Sequence, residues 1–454
     1  MPKRHRSAAA SGSSLPSDML RVMGWPILLL ATVALVFGGG GSRYPLANLL
    51  VQLAAVALAL LFIGFARGRF AAVPKSLYIL VGLTLALPLI QIVPLPPAIW
   101  QQLPGRDLVQ ASLELLDTDG GWFPWSVDRG RTIVALASLI PAVAALALYP
   151  WGRTDAGYRA LILLVALGVA NFIFGALQLA VPGDVLNPYP VLSSGRLYGF
   201  FASHNSSGLF FVICLCASIG AFRMTNRNTL TRGFLAVSAI LMVLGAILTN
   251  SRSSTLLLLL PISQMVWLGF KSRPNKLSAR SGVAVAAGAL ALIGGIGVFL
   301  AQSTRLSATW ARFAELDDRR PEIWEDSLFS VERFWPFGSG MGTFRDVFPV
   351  DESLEHVLAG TPGRAHSEYF ELAIEAGIFG LILAAAWAVW LALRFWMARH
   401  QVNAAAVQAA ALAILCISLQ GLIDYPLRNQ ALLCIAGLLI ATMVGREPDS
   451  KGSL

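Results

Sequence analysis

Charge is what this sequence has least of. Only 13% of its 454 residues are Asp, Glu, Lys or Arg, against about 25% in an ordinary soluble domain, and 56% are hydrophobic. Such an excess of apolar surface excludes a soluble globular protein, because its only natural solvent is lipid. Cysteine is scarce as well. Cys214, Cys216, Cys416 and Cys434 all fall inside apolar stretches, which excludes a disulfide framework for exposed loops and matches no metal-site spacing. They read as small core residues. A third absence lies within the apolar stretches, whose middles hold no Asp, Glu, Lys, Arg or His. Ion-coupled carriers place such groups near the midplane, where they carry the coupling. A transmembrane pathway is poorly supported, and a transporter or flippase for a polar solute or lipid-linked sugar is kept only as the alternative.

What is present is a series of long apolar runs. A span takes ~20 mostly apolar residues to cross a ~30 Å hydrocarbon layer. Twelve candidates are centred near residues 33, 56, 86, 141, 170, 214, 242, 262, 292, 384, 413 and 437. In lipid the backbone has to satisfy itself, so they are helices. The expected fold is all-α: a polytopic transmembrane bundle of about twelve spans with a large outer loop between spans nine and ten. The expected divisions are a cytoplasmic tail (1–23), a nine-span block (24–301), the outer loop (302–367), a three-span block (368–445) and a second tail (446–454). The first run follows Lys3, Arg4, Arg6 and Arg21 and ends in four glycines, 38–41. That pattern resembles a signal peptide, but no A-x-A-like cleavage site follows, so an uncleaved span is expected.

Charge then sets orientation, because short loops rich in Lys and Arg stay cytoplasmic. With both termini inside, 20 of the 34 basic residues fall on the inner side, including Arg67, Arg69, Lys75, Arg223, Arg227, Arg232, Lys271, Arg273, Lys276 and Arg280. Of the acids only Asp18, Asp155, Glu447 and Asp449 fall there. The net charge of +9 is therefore a cytoplasmic rim facing lipid headgroups, not a nucleic-acid footprint. All five lysines sort inside and every outer cation is Arg, whose planar fork suits phosphate oxygens better than a point charge does.

Four outer stretches concentrate the polar chemistry. GRLYGFFASHNSSGLF leads into span six and holds Arg196, His204 and Asn205. Arg252 sits in TNSRSSTL, a very short turn between apolar spans, where a cation is costly unless it meets water or an anion. DDRRPEIW holds Arg319 and Arg320, and GRAHSEYFELAIEAGIFG holds Arg364 and His366. Each has a plainer reading: Arg196 as a snorkelling residue, Arg320 as a polar lead-in to a helix, His204 with Asn205 as a helix cap, His366 as a cap to span ten, and Glu368, Glu371 and Glu375 as a solvated helical stripe. After Pro321 the sequence predicts a short amphipathic helix with Ile323, Trp324, Leu328, Val331 and Trp335 on its apolar face, suited to the headgroup layer. FGSGMGTF is a glycine turn without the Lys-Ser/Thr ending of a nucleotide loop.

Taken in order, these stretches resemble the O-antigen ligase and polymerase family of integral membrane glycosyltransferases, over about 190–385. The matching elements are Arg196 with Gly199, Phe200 and Asn205; the S-R-S turn at Ser251, Arg252 and Ser253; Arg320 with Trp324; P-F-G-x-G-x-G-x-F at 336–344; A-H-S-x-Y at 365–369; and Glu375 with Gly377 and Gly380. DYPLR at 424–428 resembles an outer loop of exopolysaccharide-polymerase relatives. The resemblance implies an inner-membrane enzyme of surface-polysaccharide assembly, with its site on the periplasmic side and no metal or other cofactor. Its donor is an undecaprenyl-diphosphate-linked glycan. Its acceptor is a sugar hydroxyl on lipid A-core or on another lipid-linked repeat, and ligase, polymerase and protein-directed transferase stay open. Arg196, Arg252 and Arg320 are implied to hold the diphosphate, and His366 to orient or deprotonate the acceptor hydroxyl. Arg364, Asn205 and Glu375 are implied to support them. The place of His204 varies among relatives, and no role is carried onto it.

Overall fold

The computed structural model describes residues 25–66, 73–181, 185–190, 195–225, 229–271, 319–357, 362–398 and 403–444. The expected span near 292, both tails, and the inner cations Arg67, Arg69, Arg227, Arg273, Lys276 and Arg280 lie outside these residues. Within them the chain is helical apart from one two-stranded ribbon. Three helices come first: α1 (Trp25–Gly38), α2 (Pro45–Ala66) and α3 (Lys75–Gln91). Strands β1 (Pro94–Leu95) and β2 (Phe123–Pro124) pair antiparallel around the short helices α4 (Pro97–Trp100) and α5 (Asp107–Glu114). The chain re-enters the bundle through α6 (Arg129–Ser138) and α7 (Ile140–Leu148), then α8 (Ala156–Ala180), α9 (His204–Met224) and α10 (Thr229–Leu248). Next come α11 (Arg252–Leu257), α12 (Leu259–Lys271), α13 (Arg320–Phe334) and α14 (Phe344–Asp351), and α15 (Glu368–Ala398), α16 (Ala404–Gln420) and α17 (Gln430–Val444) complete the chain.

The protein is an all-α polytopic membrane protein. Among the described residues, six segments are long and apolar enough to cross a bilayer: α2, α6 with α7, α8, α9, α10 and α15. α1, α3, α16 and α17 are shorter apolar helices. At the centre stands α9, whose apolar window is 83% buried, against 17% in α2 and α15. It is enclosed by α8, α10 and α16. Small residues permit that enclosure: a methyl group on Gly220 would meet Ala409 Cβ at 2.5 Å, and one on Gly208 would meet Ser254 Oγ at 2.4 Å. Cys214, Cys216, Cys416 and Cys434 are buried thiols in this core, as their apolar setting suggests.

A smaller second core lies over the bundle, built from Ile323, Phe334, Phe344, Val347, Phe348, Ala365 and Ile374. The ribbon region is part of the same layer. Arg106 is buried and donates to the carbonyls of Pro104, Trp125 and Gly338, and Val127 N–H donates to Ser339 O at 2.8 Å. Burial, with Arg333 nearby, lowers the Arg106 pKa to about 10. The segment between α3 and α6 and the described part of the expected outer loop are thus one structure.

The helix expected after Pro321 forms, as α13. Its buried residues are Ile323, Asp326, Ser327, Ser330 and Phe334, while Leu328, Phe329 and Trp335 are exposed. Two of the buried polar residues are held by partners from the next segment: Asp326 takes Ser353 and His356, and Ser330 takes Asp351. α15 is not one continuous rod. Gly377 has φ +55° and ψ −143°, a region open almost only to glycine. Ile378 N–H there donates to Pro336 O at 3.0 Å, and a methyl on Gly377 would stand 2.0 Å from that oxygen. The P-F-G turn therefore docks into a break in α15. The expected glycine turn is a buried structural junction, with Ser339 and Gly340 donating their N–H groups to the carbonyls of Ile374 and Glu375.

Candidate functional site

At the entrance to α9 the backbone is held by polar residues of α8. Asn171 Oδ1 accepts from Phe200 N–H at 2.9 Å, and Gln178 bonds both the N–H and the carbonyl of Gly199. Arg196, fixed by this loop, places Nη1 3.2 and 3.3 Å from the two ring nitrogens of His204. The capping reading of His204 is corrected here: Ser203 is the N-cap residue and no side chain caps this helix. His204 lies against a guanidinium instead, and Arg320 is the next charge to reach it. Asn205 Oδ1 accepts from Ser251 Oγ at 2.8 Å. Ser251 is also the N-cap of α11, accepting from Ser254 N–H, so Arg252 begins that helix beside Asn205. Residues 196, 204 and 205 thus adjoin the start of α11, where Arg252 sits, and Arg320 is near enough for its charge to be felt at His204.

His366 occupies the adjoining corner. Its φ is +51°, a left-handed conformation whose cost, of order 1–3 kcal/mol, persists only where the surroundings over-determine it. They do so here. Ala365 N–H donates to Glu371 Oε1 at 3.1 Å, Ala365 O accepts from Trp324 Nε1 at 2.9 Å, and Glu368 N–H donates to Gly421 O at 2.9 Å. The capping role falls to Ser367, whose Oγ accepts from Phe370 N–H. His366 Nδ1 lies 4.0 Å from Asp424 Oδ1, and its ring packs on Tyr425 at 5.3 Å. Burial raises the Tyr425 phenol to about 12, so it stays protonated.

The Glu368, Glu371 and Glu375 stripe is not a solvated face. Glu371 and Glu375 are fully buried. Arg428 reaches all three carboxylates, at 3.4 Å to Glu368, 3.4 Å to Glu371 and 2.7 Å to Glu375. Arg364 bonds Glu371 at 2.9 Å. Burial alone would loosen the Arg428 proton, but Glu375, Glu371 and Glu368 outweigh it and hold the pKa above the ordinary arginine range. A lone helix with this spacing reads as solvated because its partner is more than fifty residues downstream. Asp424, Tyr425 and Arg428 are the residues of this corner missed by sequence reasoning, although the DYPLR stretch itself stood out by its resemblance to an outer loop of exopolysaccharide-polymerase relatives.

α13 joins the two corners: Arg320 opens it, and one turn later Trp324 binds the residue before His366. The glycine run after α1 joins them again from beneath. Gly39 O accepts from Ala202 N–H at 3.1 Å and from Asn429 Nδ2 at 2.9 Å. A methyl on Gly39 would stand 1.9 Å from Phe200 O.

Residues 237–385 match the family model described as O-antigen ligase. This segment is an O-antigen ligase domain. Its limits take in Arg252, Arg320, Arg364, His366 and Glu375. Arg196 and Asn205 lie before it and Asp424 and Arg428 after it. Asn205, Asp424 and Arg428 contact it through Ser251, His366, Glu371 and Glu375, and the residue after Arg196 is bonded to it, Leu197 N–H donating to Leu248 O. Comparison with curated proteins finds no match. The coarse function that follows is glycan ligation at a membrane by a glycosyltransferase-like enzyme.

Proposed function

We propose that this protein transfers a glycan from an undecaprenyl-diphosphate carrier to a sugar hydroxyl at the periplasmic face of the inner membrane. The observation that carries this reading is the pairing of two unlike corners: arginines 196, 252 and 320 gathered around His204 and Asn205, and His366 beside Asp424. Group transfer from a diphosphate needs charge stabilisation on the leaving group, which bidentate guanidinium contacts provide. It also needs an acceptor hydroxyl that is oriented and relieved of its proton, work that a histidine side chain can do as general base. Asp424, 4.0 Å from His366 Nδ1, is beyond hydrogen-bond reach but near enough for its negative charge to favour the imidazolium that forms when the ring takes the proton. The hydroxyl oxygen attacks the anomeric carbon, its proton passes to His366, and the carbon–oxygen bond to the diphosphate breaks. Arg364 and Arg428 are engaged by carboxylates and support this frame without gripping the donor. Glu375, bonding Phe344 N–H and Arg428, is a positioning residue, as is Asn205.

The test uses purified protein in lipid nanodiscs with an undecaprenyl-diphosphate glycan and candidate acceptors. Arg196→Lys and Arg252→Lys keep the charge but lose the fork, and each is expected to lose most of the transfer rate. Full activity in both would remove them from the donor site. Acceptor choice in the same assay separates ligase from polymerase.

Orientation has its own test. Leu354 is 93% exposed in the outer layer, and Leu230 is 85% exposed at the far end of α10 from Arg252. A 20-residue helix is about 30 Å long, so the two mark opposite faces. In cells with a permeabilised outer membrane, Leu354→Cys should react with an impermeant thiol reagent and Leu230→Cys should not. The reverse pattern would place the site in the cytoplasm.

A further inference from the structure

The outer arginines sort into two groups by what holds them. Arg364, Arg428, Arg333, Arg319 and Arg131 each pair with a carboxylate within 3.4 Å. Arg43 does not: among the described residues it has no carboxylate partner, and it is exposed. It closes a short 3₁₀ turn, Gly41–Arg43, directly after the glycine run. The turn is built and not loose. Asn48 Nδ2 and Tyr44 N–H both donate to Gly41 O, Tyr44 packs on Tyr189 with ring centres 4.6 Å apart, and Tyr189 OH donates to Phe37 O. A methyl on Gly40 would collide with both tyrosine rings.

This turn aims Arg43 at the His366 loop. A methyl built on Gly363 would stand 3.5 Å from Arg43 Nη2, and the Arg43 charge is felt at the Tyr425 phenol, the ring packed on His366. Through Gly39 O the same segment is bonded to Ala202, six residues after Arg196, and to Asn429 beside Arg428. A guanidinium held by a rigid turn, exposed and without an internal anion, at the seam of the two corners, is available to an anionic ligand.

We propose that Arg43 is a further anion-binding residue of the transfer site, taking a phosphate of the donor diphosphate or an anionic group on the acceptor. The proposal deepens the transferase reading and rests on it. Arg43 completes the cationic ring from the N-terminal side, outside the O-antigen ligase domain, so the first helices contribute to the site as well as to the bundle.

The experiment compares wild type, Arg43→Ala, Arg43→Lys and a control, Arg129→Ala, an exposed arginine at the start of α6. Two readouts are taken on protein in nanodiscs. The first is the dissociation constant for inorganic pyrophosphate, which needs no turnover. The second is KM for the undecaprenyl-diphosphate glycan and, separately, for the acceptor. Arg43→Ala should weaken pyrophosphate about tenfold or more, the scale of one charge-assisted hydrogen bond, with Arg43→Lys partly restored and the control unchanged. A rise in donor KM assigns the donor phosphate, and a rise in acceptor KM assigns the acceptor's anion. Pyrophosphate binding equal in wild type and Arg43→Ala, or undetectable in both, overturns the proposal. So does a fall in kcat with both KM values unchanged. Absence of transfer by the wild type would sink the transferase reading instead, while the pyrophosphate comparison still decides Arg43.

Discussion

Replacing His366 by alanine should abolish glycan transfer while leaving the protein inserted and folded. The imidazole is 37% exposed and touches its surroundings chiefly through Tyr425 and Asp424, so its loss opens no large cavity. The helix it precedes keeps its own cap in Ser367. A general base contributes roughly 10²–10⁴-fold, a loss that reads as complete in a cell assay and as a residual rate with purified protein. Asp424→Asn should cost less than His366→Ala, because it removes a neighbouring negative charge and leaves the base. The measurement is turnover per inserted molecule. A normal rate in His366→Ala would remove it from the chemistry and direct attention to His204.

How much of this was legible in the sequence follows from what periodicity encodes. Apolar runs declare themselves, because lipid rewards every residue alike, and ten of the apolar helices described here sit where the hydropathy pattern places them. The polar stretches between the apolar runs were also visible, including His366 and the three arginines proposed to hold the donor, Arg196, Arg252 and Arg320. What periodicity does not carry is the partner of a polar group. Glu371 and Glu375 read as a wet stripe because Arg428 arrives from a different loop. Asp326 and Ser330 drew no notice in the sequence because their partners His356, Ser353 and Asp351 come from a later segment. The glycines at 38–41 looked like the end of a leader-like run, when their absence of side chains is what lets Phe200 and Ala431 approach. In each case the deciding contact spans tens to hundreds of residues.

The second large effect should come from Arg428. Its guanidinium is the shared counter-charge of two fully buried carboxylates and a third half-buried one. Removing one partner of a buried ion pair leaves the other charge uncompensated, at a cost of about 3–5 kcal/mol. Arg428→Met should therefore lower stability by that amount in thermal or denaturant unfolding, and transfer should fall further than the folded fraction does, because Glu371 also fixes the backbone before His366. Adding Glu375→Gln to Arg428→Met should recover part of the stability by removing one orphaned charge, without recovering transfer. If Arg428→Met unfolds as the wild type does, the carboxylates find other partners and the network is not what holds this corner. Arg428→Lys is the milder probe: it keeps the charge but not the fork that reaches three acids at once.

The break at Gly377 gives α15 two allegiances. Residues 368–376 belong to the outer layer, and 378–398 alone still extend about 30 Å at 1.5 Å per residue, enough for the hydrocarbon layer. Because Ile378 N–H is fastened to Pro336 O and not to the preceding helical turn, the lower rod takes its starting point from the glycine turn. The stretch that carries the acid network and the stretch long enough to cross the lipid are therefore anchored separately.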